Sequence, residues 1–362
     1  RVIISLRATG EGHISSLVFR SGIVYADGRL ELLPPSRYAT APEQTPDPEY
    51  DKALFEKKLQ ELGLFDVFVQ TMMQALQPVF TFEELNKVAT LMRRKNRLMT
   101  QEQQSVLQGV LALARANYLI RFSSRQQISE RVIFPSSPAE SNGIEDARFT
   151  PFRADDGQVT YYATYTAYDG RLMFPQLIET KDFLSFKLCT LNGPEVQNKG
   201  MALFPRTING HYAMLGRQDG ENLFLMYSDM LHFWYDKTLL MRPAQPWEYV
   251  QIGNCGAPVE TPEGWLLLTH GVGPMRQYAI GAALLDTERP ERVIARLPYP
   301  LLAPADNERD GHVPNVVYTC GYLVHAGHVI IPYGMSDSCV GCATVRLDEL
   351  LNELKQHPVQ GI

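Results

Sequence analysis

An all-β fold organised as a β-propeller is predicted for this chain, and three observations predict it. From Tyr118 to about Val345, short runs rich in Tyr, Phe, Val and Thr alternate with Gly, Pro, Asn and Asp, as strands alternate with turns. A weak repeat runs through this region: Thr180-Lys181-Asp182-Phe183-Leu184-Ser185-Phe186 recurs as Ser228-Asp229-Met230-Leu231-His232-Phe233-Trp234, with the aspartates 47 residues apart. Asp286, after Ala283-Leu284-Leu285, marks a third copy. A period of about 40–50 residues with several strands per copy is the spacing of propeller blades. The span accommodates four to five of them, and strands at the start of the chain can close the ring.

Each element follows in order. Residues 1–35 read as two or three strands with turns at Gly10-Glu11-Gly12 and Ala26-Asp27-Gly28. Residues 39–50, with Pro42, Pro46 and Pro48, read as a linker. From Asp51 to about Ala116 the apolar period becomes helical. Leu54, Phe55, Leu59 and Leu62 share one face, and Leu64, Phe65, Val67, Phe68, Met72 and Leu76 belong to a second helix that Pro78 stops. Thr81 with Glu84, and Thr100 with Gln103, are capping-box starts for two more. Arg93-Arg94-Lys95 reads as a solvated face, and packing against the propeller is expected to bury the apolar faces. Strands are expected at 160–168, 203–204, 212–215, 223–227 and 265–269, and a short helix at 347–356. The domain division is a propeller from 1–38 and 118–362, with a helical insertion at 49–117.

Composition narrows the partners. Of 362 residues 45% are hydrophobic and 20% charged, which is an ordinary globular balance with ample core. The net charge of −6 argues against a nucleic-acid backbone as partner. No apolar run approaches the ~18 residues of a membrane span. Five cysteines without framework spacing point to free thiols in a reducing, cytoplasmic compartment. Cys339-Val340-Gly341-Cys342 lacks a second pair or a histidine couple, so buried small side chains are expected there and no metal site.

The chemistry-bearing motif is Asn142-Gly143-Ile144-Glu145-Asp146-Ala147-Arg148-Phe149. Adjacent acids on a strand point to opposite faces, so one of the pair is expected in a cavity while the other joins Arg148 in holding it. Further motifs follow in order: Asn198-Lys199-Gly200, Gly216-Arg217-Gln218, Trp247-Glu248, Gln251-Ile252-Gly253-Asn254, Thr269-His270-Gly271-Val272, Tyr278, His312-Val313-Pro314-Asn315 and Met335-Ser336-Asp337. Singly, each reads as a surface charge, a loop histidine or a turn cap.

Together these motifs resemble glycoside hydrolase family 130, the inverting β-mannoside phosphorylases and β-mannosidases on a five-bladed propeller. The resemblance covers roughly residues 118–350 and the first strands, with the helical block outside it. It implies that Asp146 is the catalytic acid, that Lys199, Arg217, His270 and Tyr278 hold inorganic phosphate, and that Asp337 grips the sugar. Ser15, Ser16 and Arg20 follow more loosely as sugar-site residues, with Arg148 and Gln251 at its margin. Many relatives carry Pro where Ala147 stands, His where Gly216 stands and Lys where Gln251 stands. Phosphate is already anionic and needs cations and hydroxyl donors, whereas a water nucleophile needs a second carboxylate ~6.5–9.5 Å from the acid. The cationic set favours phosphorolysis of a β-mannoside oligosaccharide, with phosphate as co-substrate and no other cofactor. Glu221 and Glu260 are the candidate bases under the hydrolase alternative. A non-catalytic glycan-binding propeller and a mannosyltransferase are the remaining alternatives, and a homo-oligomer is open.

Overall fold

The structure is a computed structural model that describes residues 1–10, 12, 14–95 and 99–359. Among them, strands dominate the chain on both sides of a helical block. Val2–Thr9, Ser15–Val24 and Leu30–Leu32 form an antiparallel meander, joined by Val132–Ile133. The turn expected at Gly10–Gly12 includes Glu11, which lies outside the described residues. Gly143–Arg153, Val159–Tyr168, Met173–Thr180 and Ser185–Thr190 follow as a second meander, extended by Tyr118–Arg121 and Glu43–Pro46. One parallel pairing, Ser15 with Gly143, joins the two groups into a ten-stranded sheet.

Three further antiparallel sheets succeed one another along the chain. The first runs from Ala202–Leu203 to Thr238–Met241, the second from Gln251–Asn254 to Val293–Arg296, and the third from Val317–Tyr318 to Cys339–Arg346. The sequence repeat falls at one topological position. Asp182, Asp229 and Asp286 follow the third main strand of three successive sheets, where Asp182 and Asp286 each accept two backbone amides of the turn.

A second recurrence escaped the sequence reading. Three sheets are entered through a 3-10 turn closed by a glutamate: Pro138–Glu140, Pro246–Glu248 and Asp306–Glu308. Glu140 is fully buried, and among the described residues no cation pairs with it. It accepts from the amides of Ser136 and Ser137 at 3.0 and 2.9 Å, and from the hydroxyls of Tyr118 and Tyr165 at 3.1 and 2.7 Å. Charge-assisted bonds of this kind offset the cost of burying a carboxylate. They fix the turn that leads into the Glu145-Asp146 strand.

The helical block comprises α1 (Lys52–Glu61), α2 (Val67–Gln74), α3 (Phe82–Lys95) and α4 (Gln101–Arg115). Both capping boxes form. Its apolar faces pack mainly on one another, around Phe55, Leu59, Met72, Phe80, Leu85 and Leu107, and not on the sheets as expected. Arg93, Arg94 and Lys95 are exposed. α2 ends at Gln74, before Pro78 could stop it, because the chain turns into the short strand Val79–Phe80 paired with Tyr50-Asp51. The expected linker also contributes a strand at Glu43–Pro46, on the edge where a proline is tolerated. α5 (Leu347–Lys355) closes the chain's last sheet.

Two cysteine expectations divide. All five thiols are free, but Cys339 and Cys342 are exposed, not buried. They lie three apart on one strand and so face opposite sides, which keeps them from acting as a chelating or disulfide pair.

Replacing Glu140 by alanine leaves two buried tyrosine hydroxyls and the buried Ser137 amide without their acceptor. We expect a loss of about 3 kcal/mol, read by urea denaturation.

Candidate active site

The strand registers set where functional side chains gather. In antiparallel sheets the start of one strand lies beside the end of its neighbour. Gly143 pairs with Tyr168, Ala202 with Leu215, Gln251 with Val272 and Val317 with Met335. Each sheet therefore presents, at one end, the start of its first strand and the hairpin that follows its second. Lys199 precedes Ala202, Arg217 opens the 217–222 hairpin, Tyr278 closes the 273–277 hairpin and Asp337 tips the 336–338 hairpin.

Contacts between sheets bring most of these together. The Asp146 strand bulges: Thr164 pairs with Arg148 and Thr166 with Glu145, so Asp146 and Ala147 share one opposing residue. Asp146 takes φ 53°, a left-handed conformation that is costly for a residue with a Cβ. The strand alternation expected from sequence is thereby cancelled, and both carboxylates face Arg7. Arg7 Nη2 lies 2.9 Å from Glu145 Oε1, and Nη1 lies 3.9 Å from Asp146 Oδ1. Lys199 Nζ approaches the other Glu145 oxygen at 3.9 Å. Arg148 is 2% exposed and donates to the Asp146 carbonyl at 3.0 Å, with its other Nη on the Tyr318 hydroxyl. It holds Asp146 through the backbone. Ser15, fully buried, donates to the Ile144 carbonyl at 3.0 Å and buttresses the same strand from below.

The second half of the site centres on Arg217, which is buried. Its Nη1 lies 3.2 Å from His270 Nε2, and the Gln251 amide oxygen accepts from the same Nη1 while its nitrogen donates to the Gly220 carbonyl. His270 Nδ1 lies 3.1 Å from the Asn254 carbonyl, which fixes the tautomer: Nδ1 donates to the carbonyl and Nε2 accepts from the guanidinium. Burial, together with the adjacent Arg217 and Arg148 charges, holds His270 well below the ordinary histidine range. It serves as a neutral acceptor, and the cations of the cluster are Arg217, Lys199, Arg148 and Arg7. Tyr278 stacks parallel to His270 with centroids 6.3 Å apart, and Tyr318 packs edge-on against His270 at 4.9 Å. Burial pushes the Tyr318 hydroxyl up, so it stays a neutral phenol despite Arg148.

Other expected residues fall outside this cluster. Glu260 is gripped by Arg206 through two bonds, 3.0 and 2.6 Å, and its carboxyl is held low by that partner. It pairs with Trp265, five residues along the strand from His270 and so about 17 Å away. Glu260 is therefore removed as a candidate base. Glu221 is exposed on the 217–222 hairpin, where its carbonyl accepts from the Ile252 amide and its own amide donates to Asp219. Arg20 donates to the carbonyl of Phe19. Ser16 is buried beside Ser15, and Asp337 is exposed on its hairpin at the same end. The residues that sequence reading missed are Arg7 and Tyr318, while Asn254 stood in the Gln251–Asn254 motif without a role of its own. Arg7 alone carried a signal, as the one charge interrupting the apolar run of the first strand. Among the described residues, no group of His, Cys, Asp and Glu is placed to hold a metal ion, and no helix is long and apolar enough to cross a membrane.

Two adjacent carboxylates and buried arginines meet at one end of successive antiparallel sheets, a polar site suited to a hydroxyl-rich or anionic ligand. A family profile described as beta-1,4-mannooligosaccharide phosphorylase matches residues 87–356, and the chain belongs to glycoside hydrolase family 130. It is 33% identical over 231 residues to a 1,2-beta-oligomannan phosphorylase of Thermoanaerobacter sp. strain X514, covering 62% of this chain and 75% of that protein. A beta-1,4-mannooligosaccharide phosphorylase of Ruminococcus albus is 35% identical over 190 residues, covering 49% and 56%. The solved beta-1,2-mannobiose phosphorylase of Listeria innocua superposes with a TM-score of 0.57 at 30% identity, covering 67% of this chain and 70% of its own.

The neutral His270 gives the native state a pH dependence. Above about pH 6.5 the imidazole is uncharged in both folded and unfolded chains and its contribution is fully present. As pH falls below that, the unfolded chain takes up a proton the native state refuses, and stability drops by about 1.4 kcal/mol per pH unit. Denaturant titrations from pH 7 to 5 should show this slope in the wild type, reduced in His270→Gln, which keeps an acceptor for Arg217. His232, also held low by burial, adds a slope common to both proteins.

Proposed function

We propose that this chain is an inverting phosphorylase that cleaves a β-mannoside with inorganic phosphate, giving α-mannose 1-phosphate and a shortened acceptor. The observation that carries the reading is the asymmetry of the site. Asp146 and Glu145 stand on one side with Arg7 and Lys199 against them, and on the other Arg217 is aimed by a glutamine and by a neutral histidine on which Tyr278 stacks.

In this reading Asp146 delivers the proton to the departing oxygen. Phosphate, held by Arg217, Lys199 and the Tyr278 hydroxyl, attacks the anomeric carbon from the opposite face. Phosphate requires no base, and the carboxylate nearest the acid, Glu145, lies on the acid's own side and is engaged by Arg7. A hydrolase would need a carboxylate across the ring. Asp337, exposed on its hairpin at the same end, is assigned to the sugar. Ser15 is spent on the Ile144 carbonyl, Ser16 is buried beside it, and Arg20, bonded to the Phe19 carbonyl, lies five residues up the strand, so these three expected sugar contacts are set aside. The relatives aligned over 62% of this chain are named for β-1,2 linkages, which makes a β-1,2-mannoside the first substrate to try. The ten-stranded sheet divides at its single Ser15–Gly143 pairing, so with the three later sheets there are five groups, which we read as five blades. A sugar phosphate retained as product fits residence inside the cell.

The deciding experiment incubates the protein with β-1,2- and β-1,4-mannooligosaccharides, with and without phosphate. Phosphate-dependent formation of α-mannose 1-phosphate is expected. Equal release of free mannose without phosphate would replace this reading by inverting hydrolysis. Asp146→Asn is expected to lower kcat at least ~10³-fold while leaving the fold intact by circular dichroism.

A further inference from the structure

The helical insertion lies apart from the catalytic sheets in composition and core, yet one of its residues reaches the segment that presents Lys199. Glu61, the last residue of α1, accepts from the backbone amide of Gly193 at 2.6 Å through one carboxylate oxygen. Its other oxygen pairs with Lys58 Nζ at 2.9 Å, which orients the carboxylate from behind. One turn away, Lys57 Nζ sits 4.2 Å over the ring of Phe233. We propose that Glu61 is a positioning residue for the anion half of the active site, and that the insertion serves as a clamp on the strip from Asn192 to Gly200.

The strip is suited to transmit such a grip. Gly193 has φ 110°, and a Cβ there would lie 1.9 Å from the Trp234 carbonyl, so only glycine turns its amide towards α1 against this wall. Beside it the Asn192 carbonyl accepts from the Trp234 amide and the Asn192 amide donates to the His232 carbonyl. Further along, the Glu195 carbonyl accepts from the Gln218 amide at 3.1 Å, next to Arg217, and the Glu195 carboxylate pairs with Lys237. At the far end the Gly200 carbonyl accepts from Asn254, the residue whose own carbonyl fixes the His270 tautomer. Lys199 thus sits on a backbone strip held at its start by α1, at its middle by the neighbour of Arg217 and at its end by the neighbour of His270. Without the first hold, the strip keeps its path but gains freedom where Lys199 must meet a bound anion. The inference rests on the phosphorolysis reading for the identity of that anion.

The test compares Glu61→Ala and Glu61→Gln with wild type, with exposed Lys87→Ala as control. Phosphorolysis kinetics and backbone amide exchange across residues 193–200 are measured together. For Glu61→Ala we expect KM for phosphate to rise about fivefold, with kcat and KM for the mannoside within about twofold. Exchange in the strip should speed up about tenfold, with little change elsewhere. Glu61→Gln keeps an acceptor oxygen for Gly193 and should recover most of both effects. Unchanged exchange, unchanged KM for phosphate, or a parallel loss in every parameter matching a fall in melting temperature would each overturn the clamp. Wild-type turnover indifferent to phosphate would instead overturn the phosphorolysis reading and the anion role with it.

Discussion

A buried arginine holds the site together. Arg148 is almost wholly enclosed, yet among the described residues no carboxylate side chain faces it at bonding distance. Its guanidinium spans from the carbonyl of Asp146 in the ten-stranded sheet to the hydroxyl of Tyr318 in the last sheet. A buried cation must find acceptors, and here the acceptors belong to segments about 170 residues apart. The geometry that satisfies the charge also fixes the Glu145-Asp146 strand against the last sheet. The strained backbone of Asp146 is tolerated because Arg148 and Ser15 grip the carbonyls on either side of Glu145.

That constraint organises the electrostatics around it. The bulge turns both acids towards Arg7, so one guanidinium stands between the two carboxylates. Across the site, Arg217 is aimed by two neutral acceptors, His270 and Gln251, and not neutralised by an acid. A cation held by neutral groups keeps its full charge for a ligand. Arg148 and Arg217 also keep the neighbouring imidazole neutral, which lets it accept from Arg217 and not repel it. Two carboxylates and several arginines, with His270 and Tyr318, are thereby brought from four sheets to one end of the fold.

The residue types at the site were readable in the sequence, because glycine turns, strand ends and charges fall in a characteristic order. Asp146, Lys199, Arg217, His270, Gln251 and Tyr278 do gather at one end of the sheets. The missed residues show the limit. Tyr318 acts through one hydroxyl, and nothing in its neighbourhood distinguishes it from an ordinary strand-end residue, while Asn254, although inside a recognised motif, acts through its backbone carbonyl. Glu260 looked available in sequence, but a distant arginine had already claimed it. The insertion's apolar stripes announced helices without saying that the helices would satisfy one another.

The sequence by itself determined the period-two strands, the capped helices, the recurring aspartate turns and the order of the polar motifs, since each depends on neighbours a few residues away. Only the tertiary structure decided that Glu145 and Asp146 share a face, that His270 is a neutral acceptor, and that α1 reaches the Lys199 strip. Those outcomes depend on a bulge, on burial and on long-range pairing. Such terms arise only when segments far apart in the chain close on one another and exclude water.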